Sequence, residues 1–279
     1  MLRQRIITAL VLVAVLLGTL TASHPLPFVA LTLVMIAAAG WEWARLNQAT
    51  AAGAVALALA LAAACSAAWW RGWTVDAPPI AWAAVSVLWL LFGAWALRAG
   101  PAGWPHLPKL CRWALGLVLL WAAWLAIAAA RVRGINFMLS VFCVVWMADV
   151  AAYFGGRAFG RRKLAPTISP GKSWEGVWSG MLGVLLLSVL WMALDRQGGF
   201  DSPSLFTVLQ ARVGWVGLVL VLLVLSGLSV VGDLVESLVK RAAGAKDSSR
   251  LLPGHGGVLD RVDALLPVFP VALACVVWV

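Results

Sequence analysis

Long apolar runs separated by short polar connections are the dominant pattern of this 279-residue chain. Each run is long enough for an α-helix to cross a hydrocarbon core of about 30 Å. The last run is the weakest span, because Pro267 and Pro270 interrupt it and because it is long enough only if Asp260 and Asp263 form its first turn. The pattern predicts an all-α polytopic integral membrane protein with about nine transmembrane helices. The predicted spans lie near 4–22, 26–45, 50–70, 79–97, 112–130, 135–154, 176–194, 213–236 and 258–279.

The first run has two interpretations. Residues 1–23 fit a secretory signal peptide, with Arg3 and Arg5 ahead of a short apolar stretch and small residues near Ala22. They fit a first membrane helix equally well, and the polytopic character of the remaining chain favours the helix. The sequence alone does not decide whether this segment is cleaved.

Composition supports the membrane class. Hydrophobic residues make up 63% of the chain and charged residues 11%, whereas about a quarter of the residues in soluble domains are charged. A nucleic-acid partner is not expected from the net charge of +10, because basic residues between apolar spans report topology and anionic lipid. Many of the 18 tryptophans, including Trp43 and Trp104, stand near predicted span ends, where an interfacial belt is expected.

The distribution of basic residues predicts the orientation. With nine spans and a cytoplasmic N-terminus, sixteen of the 21 lysines and arginines lie on the cytoplasmic side, as the positive-inside rule requires. Loops 155–175 and 237–263 then share the cytoplasmic membrane face and can form one polar site. We therefore expect a multi-pass protein of the cell's inner (plasma) membrane. Residues 1–134 would supply about five N-terminal spans, and residues 135–279 a catalytic region of about four.

Residues 232–263 concentrate the chain's polar chemistry. Asp233, Glu236 and Lys240 are spaced i, i+3 and i+7, which places them on one stripe of a helix. Asp260 and Asp263 are three apart and share a face of the helix that begins there, although acidic residues at a helix start can also simply complement its dipole. Carboxylates opposite lysine and arginine at a membrane edge suit a divalent cation and a phosphorylated substrate.

A second polar region covers residues 149–176. Asp149 lies inside a predicted membrane helix, where a carboxylate is costly and suggests function, although pairing with Arg157 for packing alone is the alternative. The glycines that follow, among them Gly156 and Gly160, allow a phosphate to approach the backbone. A serine-proline turn then presents Ser169, Lys172 and Ser173 for contacts with a phosphate or a base.

Residues 237–263, SLVKRAAGAKDSSRLLPGHGGVLDRVD, resemble the signature of the phosphatidate cytidylyltransferase (CDP-diacylglycerol synthase) family. The upstream region, with Asp149, Arg157, Lys172 and Glu175, is also similar to that family, whereas the N-terminal third carries no family motif. The resemblance implies transfer of CMP from CTP to phosphatidic acid, giving CDP-diacylglycerol and pyrophosphate. The matching signature positions are Ser237, Lys240, Arg241, Lys246, Asp247, Pro253, His255, Gly256, Gly257, Asp260, Arg261 and Asp263.

The resemblance also implies roles for these residues. Asp233, Asp260 and Asp263 are expected to hold Mg²⁺, with a second cation nearby, and these three with Lys240 are the expected catalytic residues. Asp149 and Glu236 are expected to position a metal ligand or a lysine. The expected partners are CTP, phosphatidic acid and the bilayer, and a homodimer is left open. The expected substrate-binding residues are Arg157, Ser169, Lys172, Ser173, Arg241, Lys246, Asp247, His255, Gly256, Gly257 and Arg261.

Two other functions have distinct signatures. A CTP-dependent lipid-alcohol kinase would transfer the γ-phosphate and release CDP instead of pyrophosphate. A membrane transporter, the non-enzyme alternative, would carry polar residues along helix midplanes, whereas here they gather at one membrane face.

Overall fold

The computed structural model describes the backbone of residues 2–278 and, within that range, every side chain except those of residues 2–7, 9 and 12. Met1, Val279 and the side chains of Arg3 and Arg5, which enter the predictions above, lie outside the described residues. Across the described range the chain forms ten α-helices and one pair of short strands. They are α1 (Leu2–Leu20), α2 (Leu26–Leu46), α3 (Ala51–Trp70), α4 (Pro79–Gly103), α5 (Lys109–Arg133), α6 (Ile135–Phe159), β1 (Lys163–Ala165), β2 (Ser169–Ser173), α7 (Trp174–Gln197), α8 (Leu205–Ala242), α9 (Leu259–Val262) and α10 (Leu265–Trp278).

The helices confirm a polytopic membrane fold. Within residues 2–278, eight helical segments are long and apolar enough to cross a membrane, the first beginning at Leu26. They coincide with the second to ninth predicted runs, with somewhat longer ends. Helix α1 has 19 residues and lies at the place of the first predicted run. The ninth span, the division at residue 134 and the side on which the termini lie stay predictions.

Helix α8 extends well beyond the run that predicted it. A kink at Gly214, where φ is 68°, divides it into a short first part and a long second part. Glycine adopts such a positive φ without steric cost. The second part continues to Ala242, so the predicted loop 237–263 is wrong in its first residues. Asp233, Glu236 and Lys240 are consequently held on a rigid helix.

The prediction of an entirely helical chain is wrong for the segment between α6 and α7. Strands β1 and β2 form an antiparallel hairpin there, with Lys163 opposite Ser173 and Ala165 opposite Ser169. Glu175, in the first turn of α7, accepts hydrogen bonds from the backbone N–H groups of Arg161 and Arg162, each at 3.1 Å. These contacts fasten the base of the hairpin to the start of α7.

The span predicted to be weakest is among the most buried. Of the span Leu259–Trp278, 67% is buried, against 22% of the span Trp174–Gln197. Helix α10 packs against α4, α5 and α8, and its apolar side chains all round suit such a central position. Pro270 lies inside this helix and is itself buried.

Two tryptophans do not form the interfacial belt that was predicted for them. Trp43 is 4% exposed and Trp104 is 1% exposed. The indole Nε1 of Trp43 donates to the carbonyl of Arg112 at 2.8 Å, and that of Trp104 donates to Oδ1 of Asn47 at 2.9 Å. Hydrogen bonding of the indole N–H inside the protein allows these rings to be buried.

The loop between α7 and α8 is tied to the start of α6. Asp201 accepts hydrogen bonds from the backbone N–H groups of Ile135 at 2.5 Å and Asn136 at 2.9 Å. Partial burial alone would raise the pKa of Asp201, but these donors stabilise its charged form and hold the pKa below its ordinary value. Asp201 therefore acts as an N-terminal cap of α6, outside the membrane spans.

Candidate functional site

The two predicted polar regions meet at one end of the helical bundle. The ammonium of Lys172, on β2, lies 2.6 Å from Oδ2 of Asp233, on α8. Nearby, Nε of Arg241 donates to the carbonyl of Ile168 at 3.4 Å. The hairpin is therefore docked against the C-terminal part of α8. Residues far apart in the sequence thus line one site, which the predicted topology allowed.

A cavity of about 480 Å³, here called the hairpin cavity, opens between α6, the hairpin and α8. It is lined by charged groups of both signs, since two carboxylates face an arginine and a lysine across it. The backbone of Gly156 and Gly171 also borders it, which leaves room for a ligand. The predicted residues on its lining are Asp149, Arg157, Ser169, Lys172, Ser173 and Asp233.

Two residues on this lining have structural partners as well. The hydroxyl of Ser173 accepts a hydrogen bond from the N–H of Gly176 at 3.2 Å and caps helix α7. The guanidinium of Arg157 lies 3.5 Å from the hydroxyl of Tyr153, one helical turn away. The predicted pairing of Arg157 with Asp149 is absent among the hydrogen bonds and ion pairs of the described residues. Both Arg157 and Asp149 therefore remain available to a ligand in the cavity.

Lys240 is the centre of a second group of charges. Its ammonium lies 2.5 Å from Oε2 of Glu236 and 2.6 Å from Oδ1 of Asp260. Glu236 is only 2% exposed, and the ammonium of Lys240 is shared between its carboxyl group and that of Asp260. Lys240, on the predicted stripe of α8, thus links this helix to Asp260 on the helix that begins at Leu259. Removal of Lys240 would leave buried carboxylates without a counter-ion, which is strongly destabilising.

Asp260 holds the preceding loop with its second oxygen. Oδ2 accepts from the N–H of Gly257 at 2.7 Å and from both the N–H and the hydroxyl of Ser248, each at 2.9 Å. Gly256 has a φ of 80°, and a side chain there would collide with this oxygen. Both oxygens of Asp260 are therefore already engaged by protein groups.

Asp263 lies beside Asp233. The carbonyl of Asp263 approaches the backbone of Gly232 so closely that no side chain would fit at position 232. The carboxylate of Asp263 accepts from the N–H of Ala264 through Oδ1, at 2.8 Å. The contact through Gly232 brings the two carboxylates that the sequence separates by 30 residues into one neighbourhood.

The expected Mg²⁺ ligands fit this geometry in part. Among the described residues, no group of three or more histidine, cysteine, aspartate or glutamate side chains is arranged to hold a metal ion. Lys172 neutralises Asp233, and Lys240 neutralises Asp260. Mg²⁺ needs only one or two carboxylates when substrate phosphates and water complete its shell. The donor set of Asp233 and Asp263 fits that requirement, whereas Asp260 would first have to release protein contacts.

A second polar cavity, here called the cationic cavity, is bordered by Gly256, which lies next to the carboxylate of Asp260. It measures about 850 Å³ and is lined by Lys246, Arg250 and Arg261 together with a single carboxylate, that of Asp247. The turn that carries His255 and Gly256 forms part of its wall. The guanidinium Nε of Arg261 donates to the carbonyl of His255 at 3.0 Å. The excess of positive charge suits an anionic group.

Glu42 is a site residue that the sequence analysis missed. It lies on α2, is fully buried, and accepts from the N–H groups of Val258 at 2.9 Å and Leu259 at 2.6 Å. It also accepts from the hydroxyl of Ser249 at 2.5 Å and lies 3.2 Å from the hydroxyl of Ser248, whose single hydrogen also faces Asp260. The sequence does contain an indication of its role, since a carboxylate inside an apolar span suggests function. A side chain at Gly257 would occupy the place of this carboxylate.

Fold and site together define a polytopic membrane protein whose carboxylates and lysines stand between two polar cavities at one end of the bundle. Such charge-assisted contacts suit phosphate-bearing ligands. The chain belongs to the cytidylyltransferase family, whose model matches residues 3–279. The resemblance drawn from residues 237–263 is therefore confirmed.

Curated relatives match the chain over part of their length. A phosphatidate cytidylyltransferase of Haemophilus influenzae is 44% identical over 138 residues, which is 50% of this chain and 44% of that protein. One from Pseudomonas aeruginosa is 41% identical over 169 residues, 60% of this chain and 57% of the relative. One from Brucella suis is 44% identical over 153 residues, covering 53% and 51%. The chain thus spans about half the length of the curated relatives it matches.

Proposed function

We propose that this protein transfers CMP from CTP to phosphatidic acid, forming CDP-diacylglycerol and pyrophosphate for phospholipid synthesis. The observation that carries the proposal is a row of carboxylates and lysines between two polar cavities, one cavity for each anionic substrate. The row consists of Lys172, Asp233, Glu236, Lys240 and Asp260. Membership of the cytidylyltransferase family and the names of the relatives support the same reaction.

The chemistry requires no nucleophile from the protein. A phosphate oxygen of the lipid forms a bond to the α-phosphorus of CTP, while the bond from that phosphorus to the bridging oxygen of the β-phosphate breaks. Pyrophosphate leaves with the electron pair of that bond. A phosphomonoester is mostly doubly ionised at neutral pH, because its second pKa is about 6. The main obstacle is repulsion between two polyanions, which cationic groups and in-line positioning overcome.

The residues around the row would act as binding and charge-neutralising groups. Asp233 and Asp263, with Asp260 beside them, would hold Mg²⁺, which when bound neutralises phosphate charge; a second cation nearby remains part of the proposal. Lys172, Lys240 and Arg241 would contact phosphates as the ion pairs of Lys172 and Lys240 open. Asp149 would position Asp233 and Lys172, and Glu236 would position Lys240.

We propose the hairpin cavity for CTP. Ser169 and Ser173 would supply polar contacts there, and Arg157 a charge for the triphosphate. The bordering glycines allow the ligand to approach the backbone. Asp247, on the wall of the cationic cavity, would then lie on the side of the row away from the triphosphate.

We also propose that the site faces the cytoplasm of a cell with the protein in its inner membrane. The distribution of lysine and arginine supports this orientation. An alkaline phosphatase fused behind the last residue would become active, since nine spans place that end outside. An inactive fusion that is expressed at a normal level would contradict the orientation.

The reaction is tested with purified protein in vesicles containing phosphatidic acid. CTP and Mg²⁺ are added, and release of pyrophosphate is followed with and without EDTA. We expect pyrophosphate and CDP-lipid in equal amounts, and loss of both with EDTA. Release of CDP would instead indicate γ-phosphate transfer to a lipid alcohol.

A further inference from the structure

An apolar groove of about 380 Å³ lies next to the cationic cavity. Its walls come from α1, α2, α5, α6 and α10, with side chains such as Leu16, Met35, Trp124 and Phe142. Val13 and Val15 border it and are 52% and 44% exposed. Because these residues lie on predicted membrane-spanning segments, the groove opens toward hydrocarbon.

The groove and the cationic cavity share Leu252, His255 and Arg261 in their linings. The two therefore adjoin at the signature turn, with apolar walls on one side and an excess of positive charge on the other. An amphiphile with an anionic head and an apolar chain matches this pair of adjoining surfaces. A nucleotide has no group that would fill the apolar part.

His255 gives a second indication of a ligand at this junction. Its Nδ1 atom is buried and has no hydrogen-bond partner among the described residues. A buried polar atom without a partner costs free energy, so such atoms are normally paired. A phosphate group placed at the junction would supply a hydrogen-bond partner for Nδ1.

From these observations we propose that the groove takes an acyl chain of phosphatidic acid, with the lipid phosphate at His255 and Arg261. This inference rests on the proposed function and deepens it. It assigns the turn around His255 to the lipid, whereas the sequence analysis predicted only that this turn binds a substrate. The nucleotide then occupies the hairpin cavity, and the row of carboxylates lies between the substrates.

The groove mainly determines the position of the lipid phosphate. A lipid chain gains little by moving from hydrocarbon to an apolar protein surface, because the two environments are similar. Affinity comes from the cationic head site, and the groove orients the phosphate. Misplacement of a reacting group by about 1 Å can slow a reaction about a hundredfold.

The test fills the groove with a larger side chain. Met35→Trp and Leu31→Trp place an indole in the groove, and Val34→Trp is the matched control, since Val34 is on the same helix, is 69% exposed and does not line the groove. For dioleoyl phosphatidic acid in vesicles we expect kcat/KM to fall about tenfold or more with either groove variant. Little change is expected with soluble dihexanoyl phosphatidic acid, in the KM for CTP, or with Val34→Trp.

Photolabelling gives a readout independent of turnover. Phosphatidic acid with a diazirine at its chain end should label peptides of α2 and α10, and unlabelled phosphatidic acid should compete better than phosphatidylcholine. Equal competition by both lipids, or equal kinetics of groove and control variants in an active protein, would overturn the inference. If the groove variants do not fold, the competition between phosphatidic acid and phosphatidylcholine in photolabelling of the wild-type protein tests the inference. A wild-type protein that forms no CDP-lipid yet shows selective labelling would refute the proposed function and leave the groove assignment standing.

Discussion

The carboxylate of Glu42 is expected to hold the signature loop in its active shape from a helix more than 200 positions away. Glu42→Ala removes the acceptor for the N–H groups of Val258 and Leu259 and for the hydroxyl of Ser249, while the hydroxyl of Ser248 keeps Asp260 as an acceptor. A buried donor left without a partner costs about 1–3 kcal/mol. The two backbone donors alone therefore correspond to a loss of about 2–6 kcal/mol, since the hydroxyls can rotate to other acceptors.

The loss should appear first as opening of the loop, because helices α8 and α10 keep their own contacts. We expect Glu42→Ala to reduce kcat for CDP-lipid formation by about tenfold or more through misplaced site residues. Limited proteolysis between residues 246 and 258 should become faster. Glu42→Gln, which keeps the shape and one carbonyl acceptor, should recover part of the activity. Such partial recovery would separate positioning from a general folding defect.

The control is Asp76→Ala, which removes one negative charge from an exposed loop residue. It should leave turnover and proteolysis unchanged. Ser249→Ala removes a single hydroxyl donor and should have a smaller effect than Glu42→Ala. Wild-type kcat and proteolysis rate in Glu42→Ala would refute the reasoning.

Three further predictions concern other parts of the molecule. Asp233→Asn and Asp263→Asn should each lower CDP-lipid formation by about a hundredfold or more in normally inserted protein, since both carboxylates are proposed to hold the Mg²⁺ that neutralises phosphate charge; near wild-type turnover in both would remove the metal role. Gly256→Ala should inactivate the enzyme, because the positive φ and Oδ2 of Asp260 leave no room for a methyl group; the matched Gly244→Ala, also at positive φ but in open space, should keep more activity. Because the folded pKa of Asp201 is lowered, its stabilising contribution is present above the unfolded pKa of about 3.9 and is lost as pH falls below it. Thermal unfolding of Asp201→Asn should therefore differ from wild type at pH 7 and converge with it as the pH falls through the lowered folded pKa, and a constant difference would contradict the capping role.

The lengths of the apolar runs were sufficient to place the spans, because each run must cover one bilayer thickness. The spacing of Asp233, Glu236 and Lys240 was likewise sufficient to place them on one helical stripe. Topology also indicated that the two polar regions can form one site, since both loops were assigned to the same membrane face, but the ion pair of Lys172 with Asp233 was not predicted. The hairpin was missed because its strands are short and rich in proline, glycine and lysine, which weakens any strand pattern.

Other features depend on tertiary contacts that no local pattern encodes. Glu42 stands alone in an apolar run. Its main partners are backbone N–H groups, which cannot be recognised from the types of the side chains. Trp43 and Trp104 are near span ends, but their partners inside the bundle bury them. The engagement of Asp260 by Ser248 and Gly257 could not be inferred from its spacing to Asp263 alone.

The position of the label after reaction with radioactive CTP tests the central proposal most directly. Protein in vesicles with phosphatidic acid and Mg²⁺ is supplied with CTP labelled either at the α- or at the γ-phosphate. We expect α-label to enter the lipid and γ-label to leave as pyrophosphate, with both processes lost in Asp233→Asn. Transfer of the γ-label to lipid, or no transfer of α-label by inserted wild-type protein, would contradict the account.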